Sequence, residues 1–303
     1  QSAMEYFNII ITGSIFMIQG VFFRSILSGE GNSVFPMKVL AFGTIVNIVL
    51  DPFFIMKYGI KGAAIATVIS QGSVFITFIY HLIFNNHSYI EFKFRYFKFN
   101  KLVLLKILKI GLPASLSMII MSFGVLLYNL ILDSDDAIAA YQTVGRIEHL
   151  FFLPILSIAT ALVTLVGMFL GADRVDLIKE IIKYGLSRSI IISIIFGIIF
   201  AIFNKNIISM FTEDSNIIIL GVVYFNVMIF AYPFITIGMT CSRVMQGLGF
   251  GMPTLILTIL RVVLINSLLA WIFVIIYDKP VIYAWYSLLF SSFITSLVSL
   301  AWM

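Results

Sequence analysis

A chain of 303 residues with 61% hydrophobic and only 11% charged side chains is not an ordinary soluble domain, in which about a quarter of the residues are charged. The net charge of +5 at pH 7 does not mark a nucleic-acid binder, because the basic residues fall in loops between apolar stretches. Strand-period alternation is absent, which sets aside a β-barrel, and the single cysteine, Cys241, allows no internal disulfide.

Nine apolar stretches reach the roughly 20 residues that cross a hydrocarbon core of about 30 Å. They predict spans at 5–27, 36–56, 61–84, 105–132, 138–170, 181–203, 217–241, 253–277 and 281–302. The expected fold class is an all-α polytopic membrane protein, placed in the plasma membrane with the lipid bilayer as its first partner. No cleavable signal peptide is visible. The chain starts at Gln1 close to a span and stops at Met303 inside an apolar run, so it reads as a fragment of a longer protein.

Loop charge sets the orientation. Arg24 and Lys38, then Lys93, Arg95, Lys98, Lys101, Lys106 and Lys109, then Arg174, Lys179, Lys183 and Arg188, and finally Arg243 fall on one side. Lys57, Lys61, Lys205 and Lys279 fall on the other, with the acidic Asp133, Asp135 and Asp136. Basic loops stay in the cytoplasm, so Gln1 is outside and Met303 inside. The basic segment 85–109 is the longest connection. Its FKFRYFKFNK run alternates rings with cations and reads as an amphipathic interfacial linker facing anionic lipid; a nucleic-acid patch is the poorer reading, and no nucleic-acid partner is expected.

A weak internal repeat appears. Arg24-SILSGEGNSVF-Pro36 and Arg243-VMQGLGFGM-Pro253 each join a helix-end Arg, a Gly-x-Gly turn and a Pro near the next helix start. Each leads into a span carrying an Asn, Asn47 or Asn266. Repeated halves recur in secondary transporters. The Gly-x-Gly has no phosphate-loop meaning, since no strand and no Lys-Ser/Thr accompany it.

Few polar groups lie deep in the spans. Asp51 sits in the second, with Asn47 one turn earlier on the same face and Pro52 directly after. A charge in a span costs about 2.5–3.5 kcal/mol on insertion scales and is usually functional. The plain alternative is that Asp51 marks a helix end and snorkels. Thr67 and Ser70 follow in GAAIATVIS, a run of small residues that lets helices approach closely. A hairpin would bring Thr67 to about the depth of Asp51. The carboxylate, carboxamide and hydroxyl oxygens are hard ligands suited to Na⁺ or to a proton site. Taken singly, the Thr67 hydroxyl would bond its own helix backbone.

A second constellation, Arg146, Glu148 and His149, lies in the fifth span. Arg146 and His149 share a face while Glu148 points elsewhere. Such groups imply a water-filled cavity, or partners on neighbouring helices in a structural ion pair. Arg261, near Asn266 in the eighth span, also needs a partner, and Glu148 is the nearest carboxylate in depth. Together they form a candidate polar network. Gly111/Pro113, Pro154 and Pro233 are sites of bends that let a bundle rock, or of kinks absorbed by packing. His81 and His87 lack metal-ligand spacing, and no nucleophile-plus-base set or nucleotide loop is present. Neither an enzyme nor an ATP-driven pump is expected, and no cofactor is called for.

The stretch VNIVLDPFFIMKYGIKGAAIATVISQ resembles the signature of the multidrug and toxic compound extrusion (MATE) family, carried here by Asn47, Leu50, Asp51, Pro52, Gly59, Gly62, Ala63, Ala64, Ala66 and Thr67. SGEGN before it, KIGLPASL, the LVG…GA run from Leu165 to Ala172, RVMQGLGFGMP and Leu260-Arg261 agree along the whole chain. Met168 departs from the pattern, where members often have Gln. The resemblance implies a two-lobe helical bundle of twelve helices, of which about nine, the fourth to the twelfth, are present. It divides the chain into a partial N-lobe at 1–90, a basic linker at 91–104 and a C-lobe at 105–303.

The resemblance also implies a cation site at Asn47, Asp51 and Thr67, taking H⁺ or Na⁺ as the coupling ion; no metal beyond a Na⁺ at Asp51 is expected. It implies a monomer that exports small organic, often cationic compounds by alternating access. Some members also place an acidic residue on the seventh helix, which has no counterpart here, since 111–132 holds no Asp or Glu. The alternatives are a lipid-linked oligosaccharide flippase, which a more basic cavity would favour, and a non-transporting membrane scaffold. With the first three helices missing, residues 1–303 are not expected to transport by themselves.

Overall fold

The computed structural model describes residues 2–84, 98–132 and 134–303, which fall into two compact units, Gln1–Phe99 and Asn100–Met303. Half of the expected linker, residues 91–97 with Lys93 and Arg95, lies outside the described residues, as do His87 and Asp133.

The described residues form nine helices long and apolar enough to cross a membrane. In the first unit these are α1 (Ser2–Gly29), α2 (Val34–Tyr58) and α3 (Ile60–Phe84). In the second they are α4 (Lys101–Ile131), α5 (Asp135–Gly171), α6 (Val175–Ser209), α7 (Ser215–Gly247), α8 (Met252–Ile276) and α9 (Ile282–Trp302). The chain is a multi-pass membrane protein.

Local chemistry explains the boundaries. Asn100 Oδ1 accepts from the Leu102 and Val103 amides, so α4 starts at Lys101 rather than at 105. Ser134 Oγ accepts from the Ala137 amide and the acidic Asp135 and Asp136 fill the first turn, where the helix dipole favours them, so α5 starts three residues before the expected 138. Asp214 Oδ1 caps α7 through the Asn216 and Ile217 amides. Helices α2, α4, α5 and α7 run through Pro52, Pro113, Pro154 and Pro233 without ending there.

The two halves of the repeat make the same turn. In each, the helix ends on the first glycine, Gly29 or Gly247. The second glycine takes a left-handed φ, 86° at Gly31 and 90° at Gly249, which an L side chain adopts only at a cost. The Asn32 amide bonds the Leu27 carbonyl at 2.9 Å, and the Phe250 amide bonds the Met245 carbonyl at 2.8 Å. This is a Schellman closure, and it satisfies carbonyls that the helix end leaves orphaned.

In the first unit α3 packs on both α1 and α2, around Leu27, Val39, Val74, Phe78 and Leu82. A Cβ on Gly62 would overlap the Phe54 carbonyl, so the α2–α3 hairpin closes only over a glycine there. In the second unit α5, α6 and α7 form one packed group. Its centre is aromatic: Phe200 stacks on Phe225 at 4.6 Å, and Trp285 from α9 packs edge-on against Tyr224 at 5.0 Å.

Candidate functional site

Asn47 and Asp51 share one face of α2, both partly buried, and Asn47 Nδ2 donates to Asp51 Oδ1 at 3.3 Å. This bond leaves Asn47 Oδ1 and the second carboxylate oxygen uncommitted. The hairpin register fixes where Thr67 stands. Gly62 lies against Phe54 and Val74 lies against Gly43, so interpolation places Thr67 level with Val49 and Leu50, less than one turn from Asp51. On α3, Gly62 and Val74 face α2 while Val68 packs on Gly13 of α1. The helical period sets Thr67 between these two faces. Its hydroxyl donates to the Ala63 carbonyl at 2.9 Å, which is the backbone bond expected of a lone threonine. The proton is thereby used, while the oxygen can still accept or ligate. Asp51, Asn47 and Thr67 therefore offer only oxygen to a cation.

A charged pair in the same unit was not anticipated. Lys61 Nζ sits 2.9 Å from Glu5, joining the starts of α3 and α1, with both side chains more than a third exposed. No local pattern links residues so far apart in sequence, and such a pair contributes at most about 1 kcal/mol.

In the second unit the face argument for Arg146, Glu148 and His149 describes the geometry. Arg146 and His149 are exposed while Glu148 points inward. The expected pairing of Glu148 with Arg261 is corrected: among the described residues no ion pair joins them. Glu148 instead accepts from two tyrosines of α7, Tyr232 at 2.7 Å on Oε1 and Tyr224 at 3.2 Å on Oε2. The four residues thus do not form one network. Equal depth says nothing about azimuth, which is why the expectation failed. Tyr224 and Tyr232 are eight residues apart and so lie on one helical stripe, the one signal that could have found them.

Cys241 is buried in α7 as a packing residue, and His81 stacks on Phe35 at 3.6 Å. Among the described residues no group of three His, Cys, Asp or Glu side chains could hold a metal ion. A separate apolar groove of about 630 Å³ opens among α7, α8 and α9, lined chiefly by Phe230, Phe234, Phe273, Tyr286, Phe290 and Phe293.

Comparison with known proteins gives consistent results. The MatE family model matches residues 113–272, which is 160 of the 303 residues. The chain is similar to the probable multidrug resistance protein NorM of Thermotoga maritima, 28% identical over 94% of this chain and 62% of that protein. It is similar to the probable multidrug resistance protein YpnP of Bacillus subtilis, 27% identical over 85% of this chain and 58% of that one. It spans about three-fifths of the length of either relative. Among solved structures, one described as a MOP superfamily transporter from Pyrococcus furiosus superposes with a TM-score of 0.94 at 27% identity, over 99% of this chain and 68% of that one.

Proposed function

This chain belongs to the MatE family, and from that premise we propose that it forms part of a secondary active antiporter exporting small organic compounds in exchange for H⁺ or Na⁺. The observation that carries the reading is the Asn47–Asp51 pair inside α2, with Thr67 less than a turn away in depth. An intramembrane carboxylate is costly unless it binds, pairs or exchanges something. Cation entry at Asp51 would shift the protein between two states, which requires the cation to bind them with different affinity. The site's surroundings must therefore differ between those states. Substrate would occupy a cavity of the transporter, most simply as a monomer in the plasma membrane. No step calls for a nucleophile or a cofactor.

A second reading, a lipid-linked oligosaccharide flippase, is favoured by one observation: the Arg261 guanidinium has no carboxylate partner among the described residues. Proton release on substrate addition tests the antiport reading. Purified protein in its complete reading frame, in weakly buffered detergent, should release protons or Na⁺ when a lipophilic cation such as ethidium is added. Asp51→Asn should abolish that release. Release that persists in the Asn variant would place the coupling site elsewhere.

A further inference from the structure

The groove of about 630 Å³ among α7, α8 and α9 has no part in the antiporter reading. Phe230 and Phe234 bring the middle of α7 to it, and Leu269 and Phe273 the last part of α8. On α9 it runs from Tyr283, next to the helix start, to Phe293. Ten residues of helical rise make about 15 Å. That is half of a hydrocarbon core of about 30 Å. The groove is therefore one leaflet deep, with one end at a membrane interface and the other near the midplane.

Its two ends differ in chemistry. At the inner end Phe234 and Phe293 meet edge-on at 5.1 Å. Part-way along, the Ser287 hydroxyl is spent on the Tyr283 carbonyl at 2.9 Å. At the outer end Tyr283 and Tyr286 pack edge-on at 6.0 Å, where amphipathic rings belong in a membrane protein. The loop 277–281 caps this end: the Lys279 amide bonds the carbonyl of Phe273, a wall residue, at 3.0 Å. Asp278 and Lys279 are exposed, and among the described residues neither is in an ion pair. Helix α8 carries two π-helical stretches, Leu260–Ser267 and Ile272–Ile276, and the second holds Phe273. Such stretches inside α-helices are frequent at functional sites.

Phe230 and Phe290 are 67% and 50% exposed, so no described residue covers the groove. Whatever fills it must displace lipid chains, which surround a membrane protein at far higher concentration than any solute. An organic cation would bring its charge against walls without a carboxylate. A phospholipid matches both ends, apolar for one leaflet's depth and then charged with both signs.

We propose that the groove is a site for one phosphatidylethanolamine, with an acyl chain among the rings, the phosphate on Lys279 and the ammonium on Asp278. On the orientation read from loop charge this is a lipid of the outer leaflet. Lipid tails are as apolar as leucine, so the chain is held by dispersion against the rings rather than by expulsion of water. The headgroup supplies selectivity. A primary ammonium donates hydrogen bonds to a carboxylate, and a choline headgroup has none to donate. The site requires only that the helices span a bilayer and does not rest on the antiporter reading.

Lipid-selective quenching tests it. Phe290→Trp puts a reporter in the groove of the protein in its complete reading frame, and the signal of the unsubstituted protein is subtracted. If that variant does not fold, Phe230→Trp at a more exposed wall position serves. In vesicles of mixed composition, phosphatidylethanolamine with brominated chains should quench the added tryptophan with about fivefold preference over brominated phosphatidylcholine, the worth of one lysine near a lipid surface. Lys279→Gln and Asp278→Asn, both in the exposed loop, should each reduce that preference several-fold. Equal quenching by the two lipids would make the groove ordinary lipid-facing surface and overturn the site. So would absence of quenching, which would show another helix or a second copy covering it. Relief of quenching by added ethidium would assign the groove to an exported compound and likewise overturn the lipid site.

Discussion

Replacing Tyr232 by phenylalanine removes one hydroxyl and leaves the ring in its contacts with Phe152 and Phe200, 5.7 Å away in each case. The hydroxyl donates to Glu148 at 2.7 Å, within the range of an O–H bond to a charged oxygen, whereas the Tyr224 bond is longer at 3.2 Å. Interhelical hydrogen bonds in membranes average about 0.6 kcal/mol and reach about 1.7. The short Tyr232 bond belongs in the upper part of that range, so Tyr232→Phe should cost about 1–1.7 kcal/mol, and Tyr224→Phe clearly less. A double-mutant cycle with Glu148→Ala, which removes the acceptor, read by equilibrium unfolding in mixed micelles, measures the pairwise term. A coupling energy below about 0.3 kcal/mol for Tyr232, or a larger one for Tyr224, would refute the assignment of Tyr232 as the principal donor to Glu148.

Other expectations follow from single contacts. Gly31→Ala and Gly249→Ala, each at a left-handed φ, should each cost about 1–2 kcal/mol in thermal unfolding, and similar losses at both would show that the repeated turns are equivalent. Gly62→Val drives a side chain into the Phe54 carbonyl and should cost at least the roughly 1–3 kcal/mol of an overpacked site, measured by the same unfolding. Lys61→Met should cost less than about 1 kcal/mol, and 1 M salt should erase the difference. Thr67→Val keeps the shape and loses the oxygen, so export at limiting cation should fall several-fold, while Thr67→Ser should retain it.

Much of the fold was legible because length and apolarity alone define a span. The start of α4 was within reach too, since Asn100 is a capping residue whose signal was passed over in favour of the hydrophobic run. The partners of Glu148 were not legible. The sequence orders residues by depth along a helix, but which helix stands beside which is decided by packing across the unit. The π-helical turn at Leu260–Ser267 left no local mark either, and without it Arg261 and Asn266 would be assigned to different faces. At the proposed cation site, the Asn47–Asp51 contact was readable because it is a spacing of four on one helix. Thr67 was readable because a tight hairpin ties the depths of α2 and α3 together.

The central claim is that Asp51 couples export to a cation gradient. Its most direct test is efflux of a fluorescent lipophilic cation from vesicles carrying the protein in its complete reading frame, driven by an imposed H⁺ or Na⁺ gradient, with Asp51 intact or changed to Asn. The account predicts gradient-driven efflux that the Asn variant loses while still inserting in the membrane at normal levels. Efflux equal to that of the unaltered protein would make Asp51 structural and contradict the account.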